Sequence, residues 1–362
     1  MDQAKPSGRS NQESDRSVWS VYSVGKNESV PTFVFFVSFV VKSDQPVGLM
    51  QRRALGRTGL SVSLVGFGGS SIGSVFRPVT QTEADATVRA ALAAGINYFD
   101  TAPYYGATAA ERVLGVALTG VPRERYVMAT KVGRYGHRAE DFDFSAARMV
   151  RSVDESLARL RCGHIDVIQV HDMEFVSLAQ IWEEALPALD RLRAAGKVRF
   201  LGITGLPLAT LRTVREHAAP LVDTVLSYCH GTLNDTTFRP YAAELRAAGT
   251  GTLNAAPLSM GLLTRAGPPA WHPATPALRA ACVASAEYCA QRGADLADLA
   301  LSFAYGLREI DCTITGFGSV GEVQRAVACA ARAPDPALLA GVQALLAPVQ
   351  GSTWSSGRPE NN

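Results

Sequence analysis

Eight short segments rich in β-branched and aromatic residues alternate with amphipathic helical segments from residue 50 onward. This alternation is typical of βα units around a parallel sheet. Eight parallel strands can close into a barrel, whereas an open doubly wound sheet usually stops at about five or six. The pattern therefore predicts an α/β fold, a (β/α)8 TIM barrel. The strand segments are Val62 to Gly68, Ile96 to Thr101, Tyr126 to Val132, Asp166 to His171, Arg199 to Thr204, Val225 to Cys229, Gly251 to Ala256 and Cys312 to Gly316.

Further helical segments extend the eight units. Two of them, 276–293 and 295–307, lie between the seventh and eighth strands, and two more, 320–332 and 336–347, follow the eighth. The helical segments begin near Ser, Thr or Asp and end near Gly, as helix capping favours. We therefore expect a barrel with an N-terminal hairpin after Met50 and extra C-terminal helices.

The chain divides into three parts by composition. Residues 1–49 are expected to be a poorly ordered extension, residues 50–350 the barrel, and the Gly/Ser-rich residues 351–362 a flexible tail. The apolar run 30–41 has 12 residues, short of the roughly 20 that a helix needs to cross a bilayer. A long polar stretch precedes this run and no small-residue cleavage site follows it, which argues against a signal peptide.

Charge and cysteine usage limit the partners. The net charge is +2 and no Lys/Arg-rich block occurs, which argues against nucleic acid and against an anionic membrane surface. The six cysteines show neither C-x-x-C pairs nor the Cys/His spacing of a zinc site. We therefore expect reduced thiols, no metal site, a small-molecule substrate and a cytoplasmic protein, either a monomer or a homodimer.

Four chemically active side chains occur near the ends of three successive predicted strands. They are Asp100, Tyr105, Lys131 and His171. Because the carboxyl ends of barrel strands meet at one rim, we expect these side chains to lie together. Lys131 close to Tyr105 is expected to lower the pKa of the phenol, Asp100 to pair with the lysine, and His171 to orient a substrate oxygen. Such a group can transfer a proton to or from a carbonyl or an alcohol.

Each of these residues also has a structural interpretation. A lone lysine after a strand commonly extends into solvent, a lone tyrosine packs in a turn, and a histidine ending a strand is often structural. The joint position at one rim favours function. A Rossmann dehydrogenase is the weaker structural alternative, because Gly66 to Gly73 lacks the Gly-x-Gly-x-x-Gly spacing and Asp100 is closely followed by a tyrosine.

The segments Phe99 to Gly106, Ala129 to Lys131 and Val170 to Asp172 resemble the aldo-keto reductase family over about residues 50 to 335. The resemblance implies that Asp100, Tyr105, Lys131 and His171 are the catalytic residues. Other segments are similar to the L-galactose dehydrogenase-like branch of that family, which oxidises aldoses at C1. They include Gly73 to Phe76, Gly133 to Tyr135, Phe142 to Ala146, Gly202 to Leu208, Leu226 to His230, Met260 to Thr264 and Gly267 to Ala274.

The resemblance also implies a nicotinamide cofactor, with departures from the common pattern. Family members usually carry Ser-Asn, Gln and Tyr where this chain has Thr204-Gly205, Leu226 and Ala255. NADP-dependent relatives place Lys or Arg where this chain has Gly316 and Glu322, and a carboxylate would repel a 2'-phosphate. We therefore expect NAD. The expected cofactor contacts are Thr204, Ser227, Pro257, Leu258, Ser259, Gly261, Leu262, Gly316, Gly318, Ser319 and Glu322.

Loops at the rim supply groups that could recognise a sugar. They are Phe76, Arg77, Arg134, Tyr135, Asp172, Glu174, His230 and Trp271. Five of these residues are expected to contact the substrate: Phe76, Arg134, Asp172, His230 and Trp271. The resemblance implies NAD-dependent oxidation of an aldose to its lactone, with Tyr105 as general base. An NADPH-dependent carbonyl or aldehyde reductase and a non-enzymatic cofactor-binding subunit remain as alternatives.

Overall fold

An antiparallel hairpin precedes the barrel in the computed structural model, which describes residues 50–362. The hairpin consists of β1 (Arg52–Ala54) and β2 (Ser61–Ser63). Leu55, at its turn, packs with side chains of the barrel interior and so covers one end of the barrel. The expectations for residues 1–49, including the apolar run 30–41, fall outside the described residues.

Eight parallel strands form a closed barrel, which confirms the predicted (β/α)8 fold. The strands are β3 (Val65–Gly68), β4 (Tyr98–Asp100), β5 (Val127–Val132), β6 (Ile165–His171), β7 (Val198–Gly205), β8 (Thr224–Tyr228), β9 (Gly251–Ala255) and β10 (Cys312–Gly316). The pairing of β10 with β3 closes the ring. The first predicted strand, Val62 to Gly68, is split, because its first residues pair with β1 and its last residues pair with β10 and β4.

Helices surround the barrel, with additional ones late in the chain as predicted. They are α1 (Gln81–Ala93), α2 (Ala109–Ala117), α3 (Ala146–Leu160), α4 (Leu178–Gln180), α5 (Leu186–Ala194), α6 (Leu208–His217), α7 (Phe238–Ala247), α8 (Pro276–Ala290), α9 (Leu296–Tyr305), α10 (Val320–Ala330) and α11 (Pro336–Leu346). A π-helical turn, Ile181–Ala185, joins α4 to α5. No helix within residues 50–362 is both long enough and apolar enough to span a bilayer.

Alternation along the strands separates two layers of side chains. One apolar cluster fills the barrel interior and includes Tyr98, Val127, Val167, Leu226 and Leu253. A larger cluster lies between the strands and the surrounding helices, and a third joins α8, α9 and α11. Polar side chains on the inward faces of the strands, such as Lys131 and His171, continue this interior layer toward the carboxyl ends of the strands.

The C-terminal segment, residues 351–362, packs against the barrel and differs in this respect from the expected flexible tail. The backbone N–H of Arg358 donates to Glu174 O at 2.9 Å, and Asn361 Nδ2 donates to Glu174 O and Val176 O at 2.9 and 2.8 Å. Thr210 of α6 donates to Asn361 O at 2.6 Å. Composition suggested a loose tail, but these hydrogen bonds to buried backbone groups hold it at the rim.

Candidate active site

The structure brings Asp100, Tyr105, Lys131 and His171 together at the carboxyl ends of β4, β5 and β6. Lys131 Nζ donates to Asp100 Oδ1 and to Thr101 O, the latter at 2.9 Å. The same nitrogen lies 5.0 Å from the centroid of the Tyr105 ring, and the rings of Tyr105 and His171 meet edge to face at 5.9 Å. The four groups are therefore close enough to share a proton-transfer task.

Gly106 shapes the turn that presents Tyr105. Its φ is +60°, and a Cβ at this position would lie 2.0 Å from Gly73 O. Any other residue would meet both the left-handed backbone penalty and a direct clash with that carbonyl. The β3–α1 loop and the turn after β4 can therefore approach each other only at a glycine.

Burial affects the pKa values of Tyr105, Lys131 and His171. Burial raises the pKa of Tyr105 above its ordinary value, although Lys131 acts in the opposite direction. The sequence predicted a lowered pKa, and burial outweighs the lysine because removing a phenolate from water is costly. Burial lowers the pKa of Lys131, but Asp100 and Tyr105 raise it overall. Burial lowers the pKa of His171 to about 3, so its imidazole is neutral at neutral pH.

Arg134 and Asp172, two of the substrate candidates, lie beside this group. Arg134 Nη1 contacts Asp172 Oδ2 at 2.5 Å, and the guanidinium lies 3.9 Å above the Tyr104 ring centroid. The same Asp172 oxygen is 3.6 Å from His171 Nε2, and the Tyr104 ring lies 5.9 Å from that imidazole. A charged and aromatic wall thus adjoins the proton-transfer group.

The other three substrate candidates occupy different surroundings. His230 is 4% exposed, and its Nδ1 lies 2.8 Å from Asp235 Oδ2. It lines a cavity of about 430 Å³ together with Trp354 of the C-terminal segment and the start of α6. Phe76 and Trp271 are 57% and 62% exposed on their loops. Of the five substrate candidates, Arg134 and Asp172 are thus the two with contacts that tie them to the proton-transfer residues.

Two expected contacts to the nicotinamide, Thr204 on β7 and Ser227 on β8, face opposite sides of the barrel wall. Thr204 pairs in register with Leu226, a residue of the interior cluster, so Thr204 shares the inner face. Ser227 follows Leu226 in the strand, and alternation places it on the outer face, where it is fully buried. Thr204 is therefore well placed for a cofactor in the barrel mouth, whereas Ser227 is not.

The segment after β9 holds the next expected contacts in a tight turn. Pro257 and Leu262 are buried, and Leu258 packs partly against the core. Ser259 is buried, and its hydroxyl donates to Asn234 at 2.8 Å. Gly261 has φ +102°, a conformation that favours glycine. The turn is thereby held rigid at the rim between β9 and β10.

The start of α10 contains the last expected contacts. Gly316 ends β10, and a Cβ there would lie 2.9 Å from Ser71 Oγ. Ser319 caps the helix, and Glu322 Oε2 accepts from Gly318 N at 2.6 Å. Arg77, from the β3–α1 loop, donates to Gly318 O at 2.6 Å.

Arg77 thus brings a cation to the turn after β10, although positions 316 and 322 carry none. The phosphates of a dinucleotide bind well to hydrogen-bond donors and positive charge. This turn offers both, through its glycine backbone, its serine hydroxyls, the N-terminus of α10 and the Arg77 guanidinium. The carboxylate of Glu322 suits a ribose hydroxyl. The residues present therefore fit a nicotinamide dinucleotide, with a positive side chain, Arg77, and a negative one, Glu322, both bonded to the backbone of Gly318.

Glu174 is a buried residue that holds the C-terminal segment by hydrogen bonds. Its side chain is fully buried, and Oε1 accepts from Leu206 N at 3.2 Å and from Ser356 Oγ at 2.9 Å. The other oxygen, Oε2, lies 2.6 Å from the position of a Cβ on Gly205. Burial, with Asp172 nearby, raises the pKa of Glu174 to about 8. The carboxyl group is therefore protonated in the folded protein at neutral pH.

Replacing this residue by Glu174→Gln should remove a pH dependence of stability. An ordinary Glu pKa is about 4.3, so the stability that the raised pKa confers is complete below that value and is lost as pH rises toward 8. The wild-type free energy of unfolding should fall by about 1.4 kcal/mol per pH unit relative to the variant across this window. Denaturant unfolding from pH 5 to 9 measures the difference.

The control for this prediction is Glu360→Gln, which alters an exposed carboxylate of the same segment. It should unfold like the wild type at every pH. Parallel pH dependences of Glu174→Gln and the wild type would contradict a protonated Glu174.

Some residues of the site were not singled out from the sequence. Tyr104 lies under the Arg134 guanidinium, and the sequence indicated it only weakly, as the first of two adjacent tyrosines. The sequence indicated Gln169 more strongly, because a polar residue two positions before His171 lies on the same face of β6. Ser356 and Trp354 carried none, since their position depends on how the last twelve residues fold back.

Comparisons with known proteins agree with this architecture. Residues 64–342 match the model of the Aldo/keto reductase family. The chain is 47% identical over 319 residues to the L-galactose dehydrogenase of Arabidopsis thaliana, covering 86% of this chain and 99% of that protein. It is 35% identical over 229 residues to the D-arabinose 1-dehydrogenase of Saccharomyces cerevisiae, covering 60% and 67%.

A further relative is the D-threo-aldose 1-dehydrogenase of a Pseudomonas species, 33% identical over 241 residues that cover 59% of this chain and 71% of that one. Among solved structures, the holo form of an aldo-keto reductase from Bacillus halodurans superposes with a TM-score of 0.68. That match covers 84% of this chain and 98% of the other at 24% identity, and it supports the fold. The resemblance seen in the sequence is thus confirmed, and the chain belongs to the aldo/keto reductase family of oxidoreductases.

Proposed function

We propose that the protein oxidises the C1 hydroxyl of a cyclic aldose, L-galactose or a similar sugar, to the aldonolactone with NAD as oxidant. The observation that carries this proposal is the 47% identity to an L-galactose dehydrogenase over 99% of its length. Two other relatives are named as aldose 1-dehydrogenases. The cluster around Tyr105 and the adjoining pair of Arg134 and Asp172 supply the chemistry that such a substrate needs.

Tyr105 is the general base of the proposed reaction. As the C1–H bond breaks and the carbonyl forms, the phenolate accepts the proton of the C1 hydroxyl. When bound, the oxidised nicotinamide supplies the carbon that accepts the hydride with its electron pair. Lys131 stabilises the phenolate, and Asp100 holds the lysine through the contact with Oδ1. Products are the lactone, the reduced cofactor and one proton.

His171 positions the reacting oxygen in this proposal. Its low pKa keeps the ring neutral, so one ring nitrogen carries a hydrogen and can donate it to the C1 oxygen without competing for the substrate proton. Arg134 and Asp172 then contact hydroxyls farther along the sugar. Tyr104 offers an aromatic face beside them.

NAD is the proposed cofactor because Glu322 stands at the start of α10. A carboxylate there accepts a hydrogen bond from a ribose hydroxyl and repels a 2'-phosphate. The contact of Arg77 with Gly318 supports a second candidate function, an NADPH-dependent carbonyl reductase that uses Tyr105 as general acid. The two candidates differ in the favoured cofactor and in the favoured direction.

The direct test measures initial rates of cofactor reduction by absorbance with a panel of aldoses. L-Galactose, L-fucose, D-arabinose and L-gulose are each supplied with NAD and with NADP. We expect turnover with at least one aldose and a higher kcat/KM with NAD. Activity confined to NADPH and aldehydes would favour the reductase, and the absence of all turnover would favour a binding subunit.

Asp172→Asn should raise the KM for the aldose by about tenfold while changing kcat less, because it weakens a charged contact to substrate hydroxyls. Asparagine tolerates the φ of +50° at this position, so the backbone should keep its shape. Steady-state kinetics with saturating NAD measures the change.

Asp166→Asn is the matched control, because Asp166 lies near the opposite end of β6 and pairs with Arg123 and Arg199 at 2.5 and 2.7 Å. It should lower Tm without changing KM. If Asp172→Asn lowered Tm and left KM unchanged, the pair with Arg134 would be purely structural.

A further inference from the structure

Gln169 holds the carboxylate at the base of the proton-transfer group. One oxygen of Asp100 accepts from Lys131 Nζ, and the other accepts from Gln169 Nε2 at 2.8 Å. An ionised carboxylate can only accept hydrogen bonds, so the amide must present its nitrogen and not its oxygen to Asp100. Both carboxylate oxygens thus have a donor, and the lysine uses only one of them.

Burying the Gln169 side chain in the barrel would be unfavourable without its hydrogen bond to Asp100. The residue is fully buried, and it lies in register between Lys131 of β5 and Gly202 of β7. The interior layer below is apolar, with Val167 as the nearest inward residue of the same strand. Burying an amide among apolar side chains is unfavourable unless its hydrogen bonds are made.

Gly202 makes the contact possible. A Cβ at Gly202 would lie 3.0 Å from Gln169 Cγ and 2.4 Å from Thr224 Oγ1. A side chain there would push Gln169 out of its position beside Asp100. The sequence of β7 therefore leaves room for the long amide side chain at this level of the barrel.

Several titratable side chains lie around the Asp100 carboxylate. Lys131 and Tyr105 face it from β5 and from the turn after β4. Tyr98 and Cys312 face it from β4 and β10, and burial raises the pKa of each well above its ordinary value, so both stay neutral. The charge balance at this point thus depends on Asp100, Lys131 and Tyr105.

We propose that Gln169 is a positioning residue for the reaction: its amide keeps the Asp100 carboxylate aimed at Lys131, and so fixes the ammonium beside Tyr105. This inference deepens the proposed function and rests on it for the role of Tyr105. Gln169 itself contacts neither the substrate nor the reacting atoms. Its effect on the chemistry passes through Asp100 and Lys131.

Gln169→Met tests the proposal, because methionine has a similar length and cannot donate. Without this donor the Asp100 carboxylate holds Lys131 less firmly beside Tyr105. The kcat for the aldose should therefore fall about tenfold at neutral pH, with KM changed by less than about twofold. The dissociation constant for NADH, measured by fluorescence, should stay within about twofold. An unchanged kcat would overturn the proposal.

A double-mutant cycle shows whether Gln169 acts through Asp100. In an Asp100→Asn background, Gln169→Met should change kcat by less than about twofold, because the carboxylate that it orients is absent. Additive losses in the double variant would overturn the proposal.

Unfolding measurements test the inference independently of any substrate. Gln169→Met should lower Tm in the wild-type background and change it much less in the Asp100→Asn background, because the carboxylate that the amide orients is then absent. Thr224→Val, which removes another buried polar group from the same interior level, should give the same Tm difference in both backgrounds. A wild type inactive on every aldose would contradict the proposed function, whereas equal Tm losses of Gln169→Met in both backgrounds would overturn this inference.

Discussion

Tyr105→Phe should lower kcat for aldose oxidation by at least about 100-fold, since general acid–base groups typically contribute that much or more. The substitution keeps the aromatic ring and its edge-to-face contact with His171 and removes only the proton acceptor. Folding and cofactor binding should therefore survive. Measurement of kcat with saturating sugar and NAD, together with the dissociation constant for NADH, separates the chemical step from binding.

The pH profile extends this test to the neighbouring lysine. Because burial raises the pKa of Tyr105, the phenolate fraction and hence kcat should increase through the alkaline range. Lys131→Met removes the charge that opposes this rise and should move the profile to still higher pH.

Tyr104→Phe is the matched control, because it removes the phenol next in sequence and keeps the ring beneath Arg134. It should retain most of its turnover. Near-normal turnover of Tyr105→Phe would exclude this tyrosine as the base.

Glu322→Arg should raise the affinity for NADP relative to NAD by about 10- to 100-fold, the range expected for one or two charge-assisted hydrogen bonds to a phosphate. The substitution removes the carboxylate that accepts from Gly318 N and places a second cation near Arg77. Dissociation constants for both cofactors, measured by fluorescence or calorimetry, test this change without any substrate.

Adding Gly316→Lys should increase the preference further. Its Cβ would lie 2.9 Å from Ser71 Oγ, so that hydroxyl must rotate away. Glu322→Gln is the control, because it removes the repulsion without adding a cation and should give only part of the gain. A wild type that already binds NADP more tightly than NAD would contradict the role assigned to Glu322.

The alternation of strand and helix patterns along the sequence was enough to predict the barrel and the cluster of Asp100, Tyr105, Lys131 and His171. Strand and helix periodicity depends on neighbouring residues, and all eight predicted strand segments overlap a barrel strand. The carboxyl ends of parallel strands share one rim, so residues that end successive strands must meet there.

The sequence also carried the family signature, because its motifs lie in those same strand ends and turns. Other features depend on contacts between residues far apart in the chain. Arg77 reaches Gly318 across 241 positions, and Ser356 reaches Glu174 across 182. No periodicity or spacing reveals such pairs, since the barrel has to close before either contact exists.

The ionisation of Tyr105 illustrates the same division. The sequence by itself determined which charged groups surround the phenol, because β4 and β5 fix the positions of Asp100 and Lys131. Only the tertiary structure decided the direction of the pKa shift, because it depends on how much water the surrounding loops exclude. Charge partners follow from strand register, whereas desolvation is a property of the whole enclosed site.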